Sequence, residues 1–97
     1  MHFLLPDAIL RGAEIVTGHG VLVSDGRIAA VGEPGIVPDG VGVEPLRGLL
    51  APGYVEIQIN GCGGVIFTGD PTVPAIERMD DVLVAHGVTS FLPTLIT

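Results

Sequence analysis

The feature that most constrains the fold is a short strand followed by a glycine cluster, a helix and a second apolar strand. The first strand is predicted over 55–60, because apolar and polar residues alternate there between a Pro-Gly pair and a run of glycines. A helix is predicted over 73–86 and the second strand over 88–96. A strand, a helix and a strand in this order form a βαβ unit, in which the two strands are parallel.

Alternation divides the side chains of the first strand between two faces. The two sets are Val55, Ile57 and Ile59 on one face, and Glu56, Gln58 and Asn60 on the other. An antiparallel strand with one face in water would show the same pattern. A parallel strand is buried on both faces, so we expect the acid and the two amides to have a specific role.

The helix and the second strand carry clear boundary signals. Thr72 is a suitable N-cap, and Gly87 suits the left-handed position that follows a helix. Four apolar residues recur at helical spacing and predict the buried face, Ile76, Met79, Val82 and Leu83. Pro93 lacks a backbone N–H, so it is predicted to lie at a bulge or near the end of the strand.

The first fifty residues are predicted to be all-β. Two short apolar runs occupy 3–5 and 8–10. Asp25-Gly26 between two β-rich runs predicts a hairpin with a type I′ turn. A loop is predicted over 33–40, followed by at most a short strand within 41–46, which Pro45 would restrict to an edge.

Composition limits the class of protein. The chain has 97 residues, of which 47% are hydrophobic and only 15% charged, so it is too apolar for a small free-standing domain. We therefore expect it to be part of a larger cytoplasmic protein. No apolar run is long enough to span a membrane, and no signal peptide is evident. A net charge of −7 with four Lys and Arg argues against nucleic acid as a partner.

Three blocks of sequence stand out, from Leu50 to Glu56, from Gln58 to Gly64 and from Gly87 to Thr97. Together they resemble the N-acetylglucosamine-6-phosphate deacetylase family of the amidohydrolase superfamily. The resemblance follows the chain in order, and it corresponds to only the first part of such an enzyme. It implies an α/β fold: the first βαβ unit of a (β/α)₈ TIM barrel over 51–97, preceded over 1–50 by the N-terminal part of a small β-sandwich.

The resemblance also implies roles for particular residues. Gln58 and Asn60 stand where the superfamily usually has two metal-binding histidines. An amide oxygen is a weak ligand for a transition metal, so we expect both to act indirectly, by orienting water and the acetamido group. Asn60 and Gly61 are candidates for substrate binding. No catalytic residue, in the sense of an acid or base, is expected within the chain.

The function implied by the resemblance is metal-dependent hydrolysis of an acetamido group in amino-sugar metabolism. The substrate would be an amino-sugar 6-phosphate, and the products glucosamine 6-phosphate and acetate. One divalent metal, zinc or iron, is expected per complete subunit, with its main ligands outside this chain. The complete protein is expected to be a homodimer or homotetramer, and the 97-residue chain alone to be inactive.

Other residues with reactive side chains have weaker interpretations. His2, His19 and His86 share no spacing typical of metal ligands. Glu56 could be a catalytic acid, but a structural hydrogen-bonding role is favoured. Cys62 has no base nearby in the sequence, which favours packing over nucleophilic chemistry. The glycines of the loop could hold an anion with backbone amides, although a tight turn explains them equally well.

Two alternatives of other classes stay open. A different amidohydrolase would be expected to keep the histidine pair, so Gln58 and Asn60 argue against it. A non-enzymatic β-rich binding module would have to cover its apolar strands, for example by forming a tight homo-oligomer.

Overall fold

A computed structural model describes all 97 residues, with one α-helix and seven strands. The strands are β1 (His2–Arg11), β2 (Glu14–Val16), β3 (Gly20–Ser24), β4 (Arg27–Gly32), β5 (Val43–Leu50), β6 (Tyr54–Ile59) and β7 (Val88–Pro93). The α-helix, α1, spans Val73–Ala85, and a 3-10 turn spans Pro34–Ile36. The chain forms two compact units, Met1–Pro52 and Gly53–Thr97. No helix is long and apolar enough to cross a bilayer.

The first unit is one five-stranded sheet built around β1. β1 pairs antiparallel with β2 and β3 and parallel with β5, while β4 pairs with β3. The two short runs predicted at 3–5 and 8–10 are one continuous strand, which pairs with β5 from Phe3 to Ile9 with a register shift between Pro6 and Ala8. At this shift, the Gly48 N–H donates to Asp7 Oδ2 at 2.7 Å.

The sheet buries one large side chain completely. Phe3 has no exposed surface and lies opposite Leu22 of β3. Gly20 is required beside it, because a Cβ at that position would overlap the Phe3 ring and the Leu4 carbonyl oxygen. The sheet also carries an apolar groove of about 290 Å³, lined in part by Leu4, Val21 and further residues of β3, β4 and β5.

The predicted hairpin is confirmed. The strand predicted within 41–46 is longer in the structure than expected. Asp25 and Gly26 have φ values of +52° and +71°, as a type I′ turn requires. β5 extends from Val43 to Leu50 instead of ending near 46. Its only partner is β1, so Pro45 lies in an edge strand as predicted, and parallel pairing with β1 carries the strand further.

The second unit is the predicted βαβ unit, with β6 and β7 parallel and α1 between them in sequence. Ala75, Met79 and Leu83 form the buried face of the helix, with Val65 and Phe67 from the preceding loop. The predicted face is thus confirmed at Met79 and Leu83, whereas Ile76 and Val82 are half-buried. Gly87 has φ +84°, as predicted for the position after the helix. β7 ends at Pro93 and not at 96, because the chain then turns so that the Ile96 N–H donates to Thr68 Oγ1 at 2.9 Å.

Thr72 caps the helix, and its loss should be measurable. Its Oγ1 accepts the Ala75 N–H at 3.3 Å. We expect Thr72→Ala to lower the free energy of unfolding by about 1 kcal/mol, since this amide would lose its capping partner. Thr72→Ser keeps the acceptor and is the matched control. Equal thermal unfolding midpoints for the Ala and Ser variants of the complete protein would contradict this expectation.

Candidate functional site

The candidate site lies at the carboxyl end of β6, where the strand enters the glycine loop 61–64. Gln58 and Asn60 lie at this end, and both are exposed. They are the only carboxamide side chains in the chain. The Thr94 N–H donates to the Ile59 carbonyl oxygen at 2.8 Å, which holds the ends of β6 and β7 together. Carboxyl ends of parallel strands are where α/β proteins bind ligands.

Glycine is required in the loop by both geometry and space. Gly63 and Gly64 have φ values of +62° and +80°, which favour glycine over other residues. At Gly61, a Cβ would overlap the backbone carbonyl oxygen of Val65. The Phe67 N–H donates to the Asn60 carbonyl oxygen at 2.8 Å. The backbone that carries Asn60 is therefore fixed by the fold of the loop.

β6 is irregular between Glu56 and Ile59. Glu56 pairs with Phe91 and Ile59 pairs with Pro93, so three steps along β6 match two steps along β7. One extra residue on one strand of a pair is a β-bulge. Paired residues share a face of a sheet, and Phe91 and Pro93 are two positions apart in β7. Glu56 and Ile59 therefore lie on the same face.

The prediction that Glu56 shares a face with Gln58 and Asn60 is wrong. Ile59 and Phe91 pack against the helix core, which places Glu56 on the helix side as well. Because successive side chains alternate, Ile57 next to Glu56, and Gln58 and Asn60 on either side of Ile59, are assigned to the other face. Exposure agrees, because Ile57 is 74% exposed whereas Glu56 is half-buried. The physical reason is the inserted residue, which a count of alternating positions cannot reveal.

The Glu56 carboxylate is engaged with the backbone of its own strand. Its Oε1 accepts the Gln58 N–H at 3.1 Å. This is a structural hydrogen bond of the kind that the sequence favoured over an acid role. The partner of Glu56 was not predicted, because local bonds to the backbone N–H two residues on are typical of Asp, Asn, Ser and Thr and not of Glu.

Cys62 and His86 make local hydrogen bonds to backbone carbonyl groups, whereas one ring nitrogen of His19 has no partner. The Cys62 thiol is half-buried and lies 3.6 Å from the Met79 carbonyl oxygen, to which it donates. The His86 Nδ1 donates to the Val82 carbonyl oxygen at 2.9 Å. The Nδ1 of His19 is buried without a hydrogen-bond partner. No group of three His, Cys, Asp or Glu side chains is placed to hold a metal ion.

The chemistry available at this site is hydrogen bonding. Each carboxamide offers an acceptor oxygen and two donor hydrogens, and neither group changes charge at ordinary pH. Gln58 and Asn60 can therefore orient a polar ligand from the end of the strand. They cannot transfer a proton or attack a carbonyl, so any bond cleavage at this position needs groups from elsewhere in the protein.

The known proteins that resemble this chain are named N-acetylglucosamine-6-phosphate deacetylase or N-acetylgalactosamine-6-phosphate deacetylase. The chain is 34% identical over 85 residues to N-acetylglucosamine-6-phosphate deacetylase of Haemophilus influenzae, and the match spans 87% of this chain and 22% of the relative. The chain is homologous to the N-terminal part of N-acetylglucosamine-6-phosphate deacetylases. No protein-family profile matches.

Solved structures of N-acetylglucosamine-6-phosphate deacetylases agree with the sequence match. The enzyme from Pasteurella multocida superposes on 99% of this chain with a TM-score of 0.87 at 31% identity. The enzyme from Mycobacterium smegmatis gives a TM-score of 0.82 at 27% identity over the same share. This chain spans 26% and 27% of those two proteins. It thus adopts the fold of the N-terminal region of these deacetylases.

Proposed function

We propose that the complete protein containing this chain hydrolyses the acetamido group of N-acetylglucosamine 6-phosphate. Water adds to the amide carbonyl carbon, the C–N bond breaks, and the products are acetate and glucosamine 6-phosphate. The observation that carries the proposal is the 34% identity to a deacetylase over 87% of the chain. The structural match over 99% of the chain supports it.

The fold of the complete protein is proposed on the same basis. Residues 51–97 would be the first βαβ unit of a (β/α)₈ barrel, and residues 1–50 part of a β-sandwich. The barrel is supported by the exposure of Val55 (67%) and Ile57 (74%) on the sheet face turned away from the helix. Barrel interiors are filled by branched apolar side chains of this kind. The sandwich is supported by the apolar groove on the first sheet, which further strands would cover.

The residues described here do not fit a metal site, because carboxamides are weak metal ligands and no cluster of three stronger ligands exists. A divalent metal, zinc or iron, would therefore be held by residues outside 1–97, one ion per subunit. The complete protein would act in the cytoplasm as a homodimer or homotetramer. Neither property is needed for the assay that tests the activity.

The activity is tested with the complete protein and N-acetylglucosamine 6-phosphate. Released acetate and the new primary amine should appear in equal amounts. N-acetylglucosamine without the phosphate is the first comparison, and the 4-epimer of the substrate, N-acetylgalactosamine 6-phosphate, is the second. If acetate is released from neither of the two phosphorylated sugars, the proposed function is contradicted. Preference for the 4-epimer would keep the reaction class and change the sugar.

Gln58 and Asn60 are proposed to hydrogen-bond the acetamido group, with Gly61 allowing close approach of the backbone. We expect Gln58→Ala and Asn60→Ala each to lower kcat/KM about 10-fold, the loss of roughly one hydrogen bond to the transition state. Ser90→Ala is the control, because Ser90 is a polar residue on β7. It pairs with Val55, so it lies on the same face of the sheet as Gln58 and Asn60. Equal activity of the Asn60→Ala and Ser90→Ala variants would exclude a binding role for Asn60.

A further inference from the structure

The backbone amide of Gln58 has left the pairing between β6 and β7. In an uninterrupted parallel ladder, amides two residues apart on one strand point to the same neighbour. The register shift gives Ile59, and not Gln58, the place opposite Pro93. The Gln58 N–H donates instead to Glu56 Oε1, at 3.1 Å. The side chain of Glu56 thus supplies the acceptor that β7 does not.

The hydrogen bond from the Gln58 N–H to Glu56 Oε1 is exposed, so without Glu56 this amide would donate to water. A carboxylate is a strong acceptor for such a group. Glu56 is half-buried on the helix side of the sheet, so its carboxylate reaches the amide from the face opposite to the Gln58 side chain. The bulge therefore has one specific interaction that favours it over a regular strand.

The bulge decides which way both carboxamides face. In a regular strand Gln58 would lie opposite Pro93, on the helix side, because a shift of one residue moves a side chain to the other face. Asn60 would be turned to the helix side with it. With the extra residue, both lie on the face turned away from the helix. Their common orientation depends on the bulge and not on alternation.

We propose that Glu56 is a positioning residue, whose carboxylate stabilises the bulge that turns Gln58 and Asn60 toward the reacting group. This inference rests on the proposed deacetylase function for its kinetic consequence. Its structural part, the hydrogen bond to the Gln58 amide, does not depend on that function. Glu56 itself lies on the other face of the sheet and does not touch the substrate.

Four variants of the complete enzyme test the proposal. Glu56→Ala removes the acceptor, and Glu56→Met removes it while retaining the length and burial of the side chain. Glu56→Gln keeps an acceptor oxygen at the same reach without the charge. Glu77→Ala is the matched control, since Glu77 is an exposed acid on α1 whose carboxylate makes no hydrogen bond.

We expect Glu56→Ala and Glu56→Met to lower kcat about 10- to 100-fold, the cost of a displaced orienting group. The effect on KM should be smaller, because the rest of the binding site is untouched. Glu56→Gln and Glu77→Ala should retain nearly the wild-type kcat and the wild-type pH profile. If Glu56 acted as an acid or base, Glu56→Gln would instead lose most of its kcat, and one side of the bell-shaped pH dependence of the rate would disappear.

Hydrogen exchange gives a readout that does not depend on activity. Mass spectrometry of the peptide covering 54–61 should show one amide fewer protected in the Ala and Met variants than in the wild type and Glu56→Gln. Wild-type protection in Glu56→Ala and Glu56→Met would overturn the inference, and so would an equal loss of kcat in Glu56→Gln and Glu56→Met. If the wild type does not deacetylate the sugar phosphate, the proposed function fails and the exchange comparison alone decides the inference.

Discussion

Phe3→Ala is expected to lower the stability of the first unit by about 3–5 kcal/mol, the usual cost of truncating a buried aromatic side chain. Phe3 is 0% exposed and lies in β1, the strand that pairs with three others. The ring also fills the space beside Gly20, where no side chain can stand in for it. The cavity left behind cannot collapse easily, because pairing on both sides holds the backbone of β1.

The measurement is the thermal unfolding midpoint and the soluble yield of the complete protein. Ile15→Ala is the matched control, since Ile15 is a large apolar residue of the same sheet but is 66% exposed. We expect it to change stability by no more than about 0.5 kcal/mol. Similar losses in the two variants would mean that Phe3 is not the centre of the first core.

Gly61→Ala is expected to lower deacetylase activity at least about 100-fold, because it displaces the backbone next to Asn60. The added Cβ would overlap the carbonyl oxygen of Val65, a backbone atom that cannot rotate away. Val65 is itself fixed, since its N–H donates to the Cys62 carbonyl oxygen at 3.0 Å. The loop must therefore open to accept the methyl group, and the bond from Phe67 to Asn60 should be lost.

Gly64→Ala separates this overlap from the general cost of alanine in the loop. Gly64 also has a left-handed φ, +80°, but a Cβ there would meet no atom within 4 Å. We expect a loss of stability of about 1–2 kcal/mol with much of the activity retained. Kinetic constants and melting midpoints of the two variants give the comparison. An equal loss of kcat in both would attribute the effect to backbone conformation and not to the overlap at Gly61.

Features set by a few neighbouring residues could be predicted from the sequence. The turn at Asp25-Gly26 depends on two φ angles, and the cap at Thr72 depends on one amide three residues away. The buried helix face followed from spacing, since Met79 and Leu83 are one turn apart. Each of these predictions needed no knowledge of a partner strand.

Features set by pairing between distant segments could not be predicted in this way. The length of β5 depends on β1, some forty positions earlier, and the two apolar runs predicted in β1 form one strand that pairs with β5. The orientation of Gln58 depends on β7, which lies beyond the helix. A single extra residue moves Glu56 to the face opposite to Gln58 and Asn60, and the alternation of apolar and polar residues does not reveal it. The carboxamides themselves were correctly located at the strand end, because the glycines after them mark where the strand stops.

Two of the register shifts in this chain share a feature that matters for surface redesign. Asp7 accepts the Gly48 amide beside the shift between β1 and β5, and Glu56 accepts the Gln58 amide beside the shift in β6. In the sequence, both acids look like ordinary surface residues that contribute to the net charge of −7. Replacing Asp7 by asparagine or Glu56 by glutamine keeps an acceptor oxygen for the backbone N–H, whereas lysine or alanine removes it. Replacing either acid by lysine would therefore remove a hydrogen bond that holds the strand geometry, in addition to changing the surface charge.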